Sequence, residues 1–175
     1  QDLMNGVHGE VVIVGDFETS AVMPSLETLV ENWESEAAFA RIPEAAQVDL
    51  PGREITIETP DKANAVYLAG LNLAIKDGDA DFAPLVMANF ILGGGSLASR
   101  LGDRVRQQEG LSYGIRSGFS AHPIDDRGRL TISAITNPIN RTKLEKAISE
   151  ELNRWIEEGI TEEELKRAQQ GYLQG

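Results

Sequence analysis

Residues 93–114 read GGGSLASRLGDRVRQQEGLSYG, and this stretch decides the fold. Three glycines at 93–95 break one helix, and a second, short helix follows them. Its apolar stripe, at spacing i, i+4 and i+8, consists of Leu97, Leu101 and Val105. Gly110 is placed to end this helix in the left-handed conformation, and a strand begins at Tyr113. The stretch therefore predicts a turn from helix to strand, in which the helix end and the strand start border one cleft.

The patterns on either side of this stretch predict the remaining elements. Short apolar runs and period-two alternation predict strands at 11–14, 53–59, 65–75, 113–122 and 128–137. Helical spacing predicts helices at 20–33, 79–92, between glycines 95 and 110, at 142–158, and from 161 onwards. Thr161 and Glu164 have the spacing of a capping box that opens the last helix.

Together these elements follow the order β-α-β-β-α-α-β-β-α-α. Hairpin-like strand pairs alternate with helix pairs, which is typical of a mainly antiparallel sheet and not of a doubly wound parallel fold. We therefore predict an α+β two-layer sandwich with the helices packed on one face of the sheet. A chain of 175 residues with 41% hydrophobic residues is expected to form a single domain, 1–175, with a core of its own.

Composition excludes several classes of function. The formal net charge of −12 argues against nucleic-acid binding through a basic surface. No apolar run approaches the roughly 20 residues of a membrane-spanning helix. Cysteine is absent, which excludes disulfides and thiolate chemistry but does not decide the compartment. Because the chain starts at Gln1 and stops inside a helical pattern, we expect it to be a piece of a longer polypeptide.

Metal, phosphate and nucleophile chemistry find little support in the sequence. The histidines, His8 and His122, lie far apart and in no metal-binding spacing, so we predict no zinc site in this chain. The glycines before Ser96 follow a helix and lack a lysine partner, which favours a tight turn over a phosphate loop. No G-x-S-x-G nucleophile motif is present.

Arg106 and Tyr113 are the candidate site residues. A phenol O–H aimed at a developing oxyanion contributes roughly 10²–10³ in rate, and a guanidinium offers forked donors to carbonyl or carboxylate oxygens. A purely structural interpretation stands beside this one. Strand alternation puts Tyr113 on the largely apolar face of Ile115 and Phe119, and Arg106 lies off the centre of the apolar stripe.

The segment from Ser99 to Tyr113 resembles the C-terminal half of the pitrilysin/insulinase-type zinc peptidases, whose zinc motif is the inverted His-x-x-Glu-His. The matching residues are a small-residue run before Ser99-Arg100-Leu101, then Arg106, then Gly110-Leu111-Ser112-Tyr113. The resemblance is strongest over 90–137 and is supported by 11–17 and 159–173. It implies that Arg106 and Tyr113 assist catalysis without binding metal, and that Ser99, Arg100, Leu101 and Gly110 are structural.

The resemblance implies a division of labour between two halves. Zinc is held by a complementary half, in the same chain or in a partner subunit, and the two halves enclose an unstructured peptide. The inverted zinc motif is missing from these 175 residues, so the isolated chain is expected to hydrolyse nothing. The favoured function is thus the substrate-binding, transition-state-assisting half of a zinc endopeptidase, with the bacterial periplasm favoured over the cytoplasm.

Two other functions stay open at this point. One is a structural or assembly module that keeps the fold without the chemistry, like the family's non-proteolytic relatives in respiratory complexes. The other is an unrelated acidic α+β binding domain. The latter would be favoured if Arg106 and Tyr113 pointed to opposite sides of the sheet.

Overall fold

The computed structural model describes residues 10–31 and 40–174, and the chain forms two compact units that meet in sequence between Pro43 and Glu44. The first unit contains helix α1, Thr19–Glu31, which confirms the predicted helix as far as the described residues extend. The predicted strand at 11–14 is wrong, because these residues are exposed and none of the described residues forms a ladder with them. A short apolar run becomes a strand only when another strand pairs with its backbone.

The second unit contains the sheet and the remaining helices. Its strands are β1 Ala65–Leu73, β2 Ser112–Ala121 and β3 Gly128–Thr136. Its α-helices are α2 Phe82–Asn89, α3 Arg141–Glu158 and α4 Glu162–Gln174. Between α2 and β2 the chain makes a π-helical turn at Phe90–Gly94, a 3₁₀ turn at Ser96–Ala98, and a π-helical segment at Gly102–Gln108, here called the linking helix. No helix in the described residues is both long and apolar enough to cross a membrane.

The sheet has the order β1-β3-β2 with both pairs antiparallel, so β3 is central. Its register places Tyr67, Ala134 and Ile115 side by side on the face that carries the core. The linking helix and α3 cover this face with Val105, Leu144 and other buried apolar side chains. The α+β two-layer architecture with an antiparallel sheet is confirmed.

The predicted strand at 53–59 is wrong. The segment is extended but exposed, and β1 pairs only with β3 among the described strands. An ion pair between Glu54 Oε1 and Arg141 Nη2, 2.6 Å apart, joins this segment to α3. Alternation in Ile55 and Ile57 indicated a half-buried face, yet both side chains are exposed because no layer covers them.

The apolar stripe of the decisive stretch is confirmed in two of its three members. Leu101 and Val105 are fully buried in the core. Leu97 is 45% exposed, because it lies in the 3₁₀ turn that precedes the linking helix and so leaves the helical spacing. Gly110 has φ +61°, which confirms its predicted role as the left-handed residue that ends the helix.

The capping box at the start of α4 is also confirmed. The Thr161 backbone N–H donates to Glu164 Oε2 at 2.8 Å, and the Glu164 N–H donates to Thr161 Oγ1 at 3.2 Å. Gly159, with φ +70°, ends α3 just before it. The turn between β2 and β3 spans residues 122–127.

Candidate functional site

Tyr113 lies on a β-bulge. Ser112 pairs with Thr136 and Gly114 pairs with Ile135, which are adjacent residues of β3. Tyr113 is therefore an extra residue on β2 with no pairing partner on β3. The Ser112 hydroxyl holds the bulge by donating to the Ile135 carbonyl oxygen at 2.7 Å and accepting from the Gly114 N–H at 3.2 Å. The bulge takes Tyr113 off the core face, and its side chain is 86% exposed. The alternation that assigned Tyr113 to the face of Ile115 was therefore wrong.

Arg106 and Tyr113 meet across the turn between the linking helix and β2. The guanidinium carbon of Arg106 lies 5.2 Å from the centroid of the Tyr113 ring, within the range of a cation–π contact. Arg106 is exposed and has no ion-pair partner among the described residues. The structure thus places both candidate side chains together at the surface, where they are available to a ligand.

A groove of about 650 Å³ runs beside this pair. One wall is the helical path, which contributes Gly93, Leu97 and Arg106. The floor includes the outward face of the sheet, with Leu68 and Ile135 among its lining residues. The volume falls within the range of ligand-binding clefts in proteins.

Close packing of the helical path against β2 forms the groove wall. A Cβ built on Gly93 would lie 2.5 Å from the Ser117 backbone nitrogen, so only glycine fits at this contact. The Ser117 hydroxyl donates to Asn89 Oδ1 at 2.8 Å and ties the same contact to α2. The run of glycines that predicted a sharp turn therefore also sets the distance between Arg106 and the sheet.

A partly buried ion pair ties Arg100, which directly precedes the linking helix, to Glu164 on α4. Arg100 Nε donates to Glu164 Oε1 at 2.7 Å and Nη2 donates to Oε2 at 2.9 Å, a bidentate geometry. Nη2 also donates to the Gly159 carbonyl oxygen at 2.8 Å. Ser99 is buried and its hydroxyl accepts from the Gly102 N–H at 3.2 Å. These contacts support the structural roles predicted for Ser99 and Arg100.

We expect Glu164→Gln to lower the free energy of unfolding by about 2 kcal/mol at pH 7, because it leaves Arg100 without its countercharge. The hydrogen bonds from Arg100 hold the pKa of Glu164 at about 2, below its usual value of 4.5. A depressed carboxyl pKa stabilises the fold above the unfolded pKa, so this stability is lost as pH falls from about 4.5 towards 2. Chemical denaturation at several pH values measures the effect.

Glu163→Gln is the matched control for this variant. Glu163 is exposed on the same helix and pairs only with Arg167 among the described residues, so its loss changes stability by about 0.5 kcal/mol or less. A difference between wild type and Glu164→Gln that stayed constant from pH 7 to pH 2 would contradict the ion-pair explanation.

His122 has a structural position at the β2–β3 turn. Its Nδ1 accepts from the backbone N–H groups of Ile124 and Asp125, at 3.2 and 3.0 Å. His8, the other histidine, lies outside the described residues. Within residues 10–31 and 40–174, no group of three or more His, Cys, Asp and Glu side chains is arranged to hold a metal ion. The described residues therefore do not fit a catalytic zinc.

A second cleft, of about 730 Å³, lies between the helices and is distinct from the groove beside Arg106. Arginines line it, including Arg100, Arg154 and Arg167. Each of these three is already paired with a glutamate, so the cleft offers ligands little free charge. The candidate site is therefore the smaller groove, where Arg106 lies unpaired.

The geometry can be compared with known proteins. A family model described as the peptidase M16 inactive domain matches residues 3–172. The chain belongs to this family. The resemblance to pitrilysin-type peptidases is thereby confirmed, and an unrelated acidic binding domain is excluded. The description of this domain as inactive is consistent with a set of described residues that contains no three-ligand metal cluster.

Two relatives carry different names for similar sequences. "Non-peptidase homolog YmxG" of Helicobacter pylori is 35% identical over 115 residues, which cover 65% of this chain and 26% of the relative. "Uncharacterized zinc protease YmxG" of Bacillus subtilis is 36% identical over 86 residues, covering 49% and 20%. The matched regions thus span about a quarter or less of these relatives.

Solved structures share the fold. A peptidase M16 inactive domain from Pseudomonas fluorescens superposes with a TM-score of 0.68 at 28% identity, covering 91% of this M16 domain and 37% of that chain. A protease from Helicobacter pylori gives a TM-score of 0.66 at 19% identity, covering 89% and 37%, which shows the fold alone.

Sequence reasoning missed Arg116, which lines the same groove as Arg106. Arg116 pairs across the sheet with Ser133, and its Nε donates to the Ser133 hydroxyl at 3.3 Å. The signal was the alternation of β2, in which Gly114, Arg116, Gly118 and Ser120 share the outward face.

Proposed function

We propose that this M16 inactive domain is the substrate-binding, transition-state-assisting half of a zinc endopeptidase. The observation that supports this most is the exposed Tyr113 ring on its bulge, with the Arg106 guanidinium over it and a groove alongside. Bulges are frequent beside active sites, where they redirect a side chain. The family match supports a complementary zinc-bearing half, in cis or in trans.

The chemistry assigned to Tyr113 is hydrogen-bond donation. Hydrolysis of a peptide bond builds negative charge on the carbonyl oxygen, and a fixed O–H stabilises that charge more than it stabilises the neutral carbonyl. The Arg106 cation over the ring contributes a positive potential at the same place. No proton is removed from the phenol at any step.

Arg106 acts chiefly in positioning. Its guanidinium is rigid and forked, suits two acceptors of a peptide backbone, and has no acidic partner among the described residues that competes for it. An unstructured peptide lying in the groove would bring its carbonyl groups within reach of Arg106 on one side and the sheet on the other. Without the zinc-bearing half, the domain binds weakly and hydrolyses nothing.

We expect Arg106→Gln to lower kcat/KM about 10- to 100-fold, the range of one lost charge-assisted hydrogen bond. The measurement is hydrolysis of an unstructured peptide by this domain together with its zinc-bearing half. Arg167→Gln is the control, because it removes the same charge from α4, where Arg167 pairs with Glu163. A kcat/KM for Arg106→Gln equal to that of wild type would show that Arg106 takes no part in binding or hydrolysing the peptide.

The second candidate function is an assembly module without proteolysis. The name of the Helicobacter pylori relative, a non-peptidase homologue, favours it. In that case the two halves associate but no peptide is cut, and the groove serves as a docking surface. Association without hydrolysis by the wild-type pair distinguishes this function from the first.

A further inference from the structure

The outward face of the sheet has an unusual charge for this protein. The chain has 28 acidic and 16 basic residues. The pairing register nevertheless assigns to this face four rows without an acid, two of which carry an arginine: Leu68–Ser133–Arg116, Val66–Ile135–Gly114, Gly70–Thr131–Gly118 and Asn72–Arg129–Ser120. A face that is purely cationic in a chain of net charge −12 points to an anionic ligand.

The arginines of this face are free of ion pairs. Neither Arg116 nor Arg129 contacts a carboxylate of the described residues, and the same holds for Arg106 at the groove wall. Arginines elsewhere in the second unit are mostly paired, as Arg100, Arg104, Arg127, Arg141, Arg154 and Arg167 show. The groove and the face beside it therefore carry three arginines whose charge no carboxylate of the described residues neutralises.

The surroundings of Arg116 suit an extended peptide. Leu68 and Val66, 76% and 66% exposed, lie on β1, across the central strand β3 from Arg116, and offer apolar contact in the groove that all three line. The row Gly70–Thr131–Gly118, which follows the row of Arg116 on this face, has little side-chain bulk of its own. The Arg129 guanidinium reaches over this row, since a Cβ on Gly70 would lie 3.3 Å from Arg129 Nη2.

We propose that Arg116 is a specificity residue that selects peptides carrying an Asp or Glu side chain next to an apolar residue. The carboxylate accepts from the Arg116 guanidinium, while the apolar neighbour contacts Leu68 and Val66. Arg129 reinforces the preference further along the same face. This inference rests on the proposed function, because it assigns the substrate class of the groove that holds Arg106.

The test uses a set of unstructured peptides in which a single Glu is the only charged side chain. Its position differs from peptide to peptide, and each peptide is matched with one that has Gln at the same position. Fluorescence anisotropy gives Kd for this domain together with its zinc-bearing half. At one or more positions we expect the Glu peptide to bind roughly 5- to 10-fold more tightly than the Gln peptide, with the difference shrinking in 0.5 M salt. Arg116→Gln removes that difference, and Arg167→Gln keeps it.

Each other outcome overturns the inference in a distinguishable way. Equal Kd values for Glu and Gln peptides at every position, or a preference that survives Arg116→Gln, overturn the role of Arg116 and leave the proposed function intact. No binding of any peptide by wild type overturns both. Weaker association of the two halves in Arg116→Gln, with the Glu preference retained, shows that the cations face an acidic patch of the partner half instead.

Discussion

Replacing Tyr113 with Phe is expected to lower kcat by 10²–10³-fold while leaving KM and stability close to wild type. The substitution removes one hydroxyl and nothing else. The Phe ring keeps the cation–π contact with Arg106, so the positioning of that arginine is preserved. Because the Tyr113 side chain is 86% exposed, no buried contact is lost and the domain stays folded.

Steady-state hydrolysis by the paired halves measures this effect, with circular dichroism as the check on folding. A fall in kcat without a rise in KM is the signature of an interaction made in the transition state. Tyr172→Phe is the matched control, since it removes a hydroxyl from a half-exposed tyrosine on α4 that packs edge-on against Phe90. A kcat for Tyr113→Phe within twofold of wild type would show that the Tyr113 hydroxyl has no role in catalysis and that Tyr113 is only an exposed residue of the bulge.

The second large effect is expected from Gly93→Ala, which should lower the free energy of unfolding by about 3 kcal/mol. The new methyl group would lie 2.5 Å from the Ser117 backbone nitrogen and 2.7 Å from its hydroxyl oxygen. Backbone cannot rotate away as a flexible side chain does, so the helical path must move off β2. The same shift displaces Arg106 from Tyr113 and should also lower kcat/KM.

Urea denaturation measures the stability change, with Gly78→Ala as the control. Gly78 has open space around it, and a methyl group there meets nothing within 4 Å. Its substitution should change stability by about 0.5 kcal/mol or less. Equal stabilities for the two variants would mean that the contact between Gly93 and β2 is looser than the structure shows.

The sequence predicted correctly those features that depend on interactions between residues close together in the chain. The i, i+4 spacing of Leu101 and Val105 predicted a buried helix face, and both are fully buried. Gly110 and the Thr161–Glu164 capping box were readable because each satisfies backbone groups within a few residues of itself. The two-layer α+β architecture followed from the order of these elements.

The errors share a physical cause, which is that sheet pairing is not local. The segments 11–14 and 53–59 have the composition of strands, but a strand also needs a partner, and composition does not show whether one is adjacent. The bulge at Tyr113 is a further case. One inserted residue shifts the alternation of the strand by one, so side chains on the far side of the bulge point to the opposite face from the one expected. Hence the sequence predicted that Arg106 and Tyr113 share a cleft, but placed the tyrosine on the wrong face.

The outward face of the sheet shows a different limit. Alternation alone reveals that Arg116 and Arg129 point away from the core, yet only the register shows that none of the residues paired with them in the sheet is acidic. The substrate inference therefore depends on how charges are placed on the sheet, which the net charge of −12 alone does not show.

The most direct test of the proposed function is peptide hydrolysis by the zinc-bearing half with and without this M16 inactive domain. If the domain supplies Tyr113 and Arg106 to the reaction, its addition should raise kcat/KM by at least about 10²-fold, and the domain alone should be inactive. A zinc-bearing half that hydrolyses the peptide equally fast on its own would contradict the proposal.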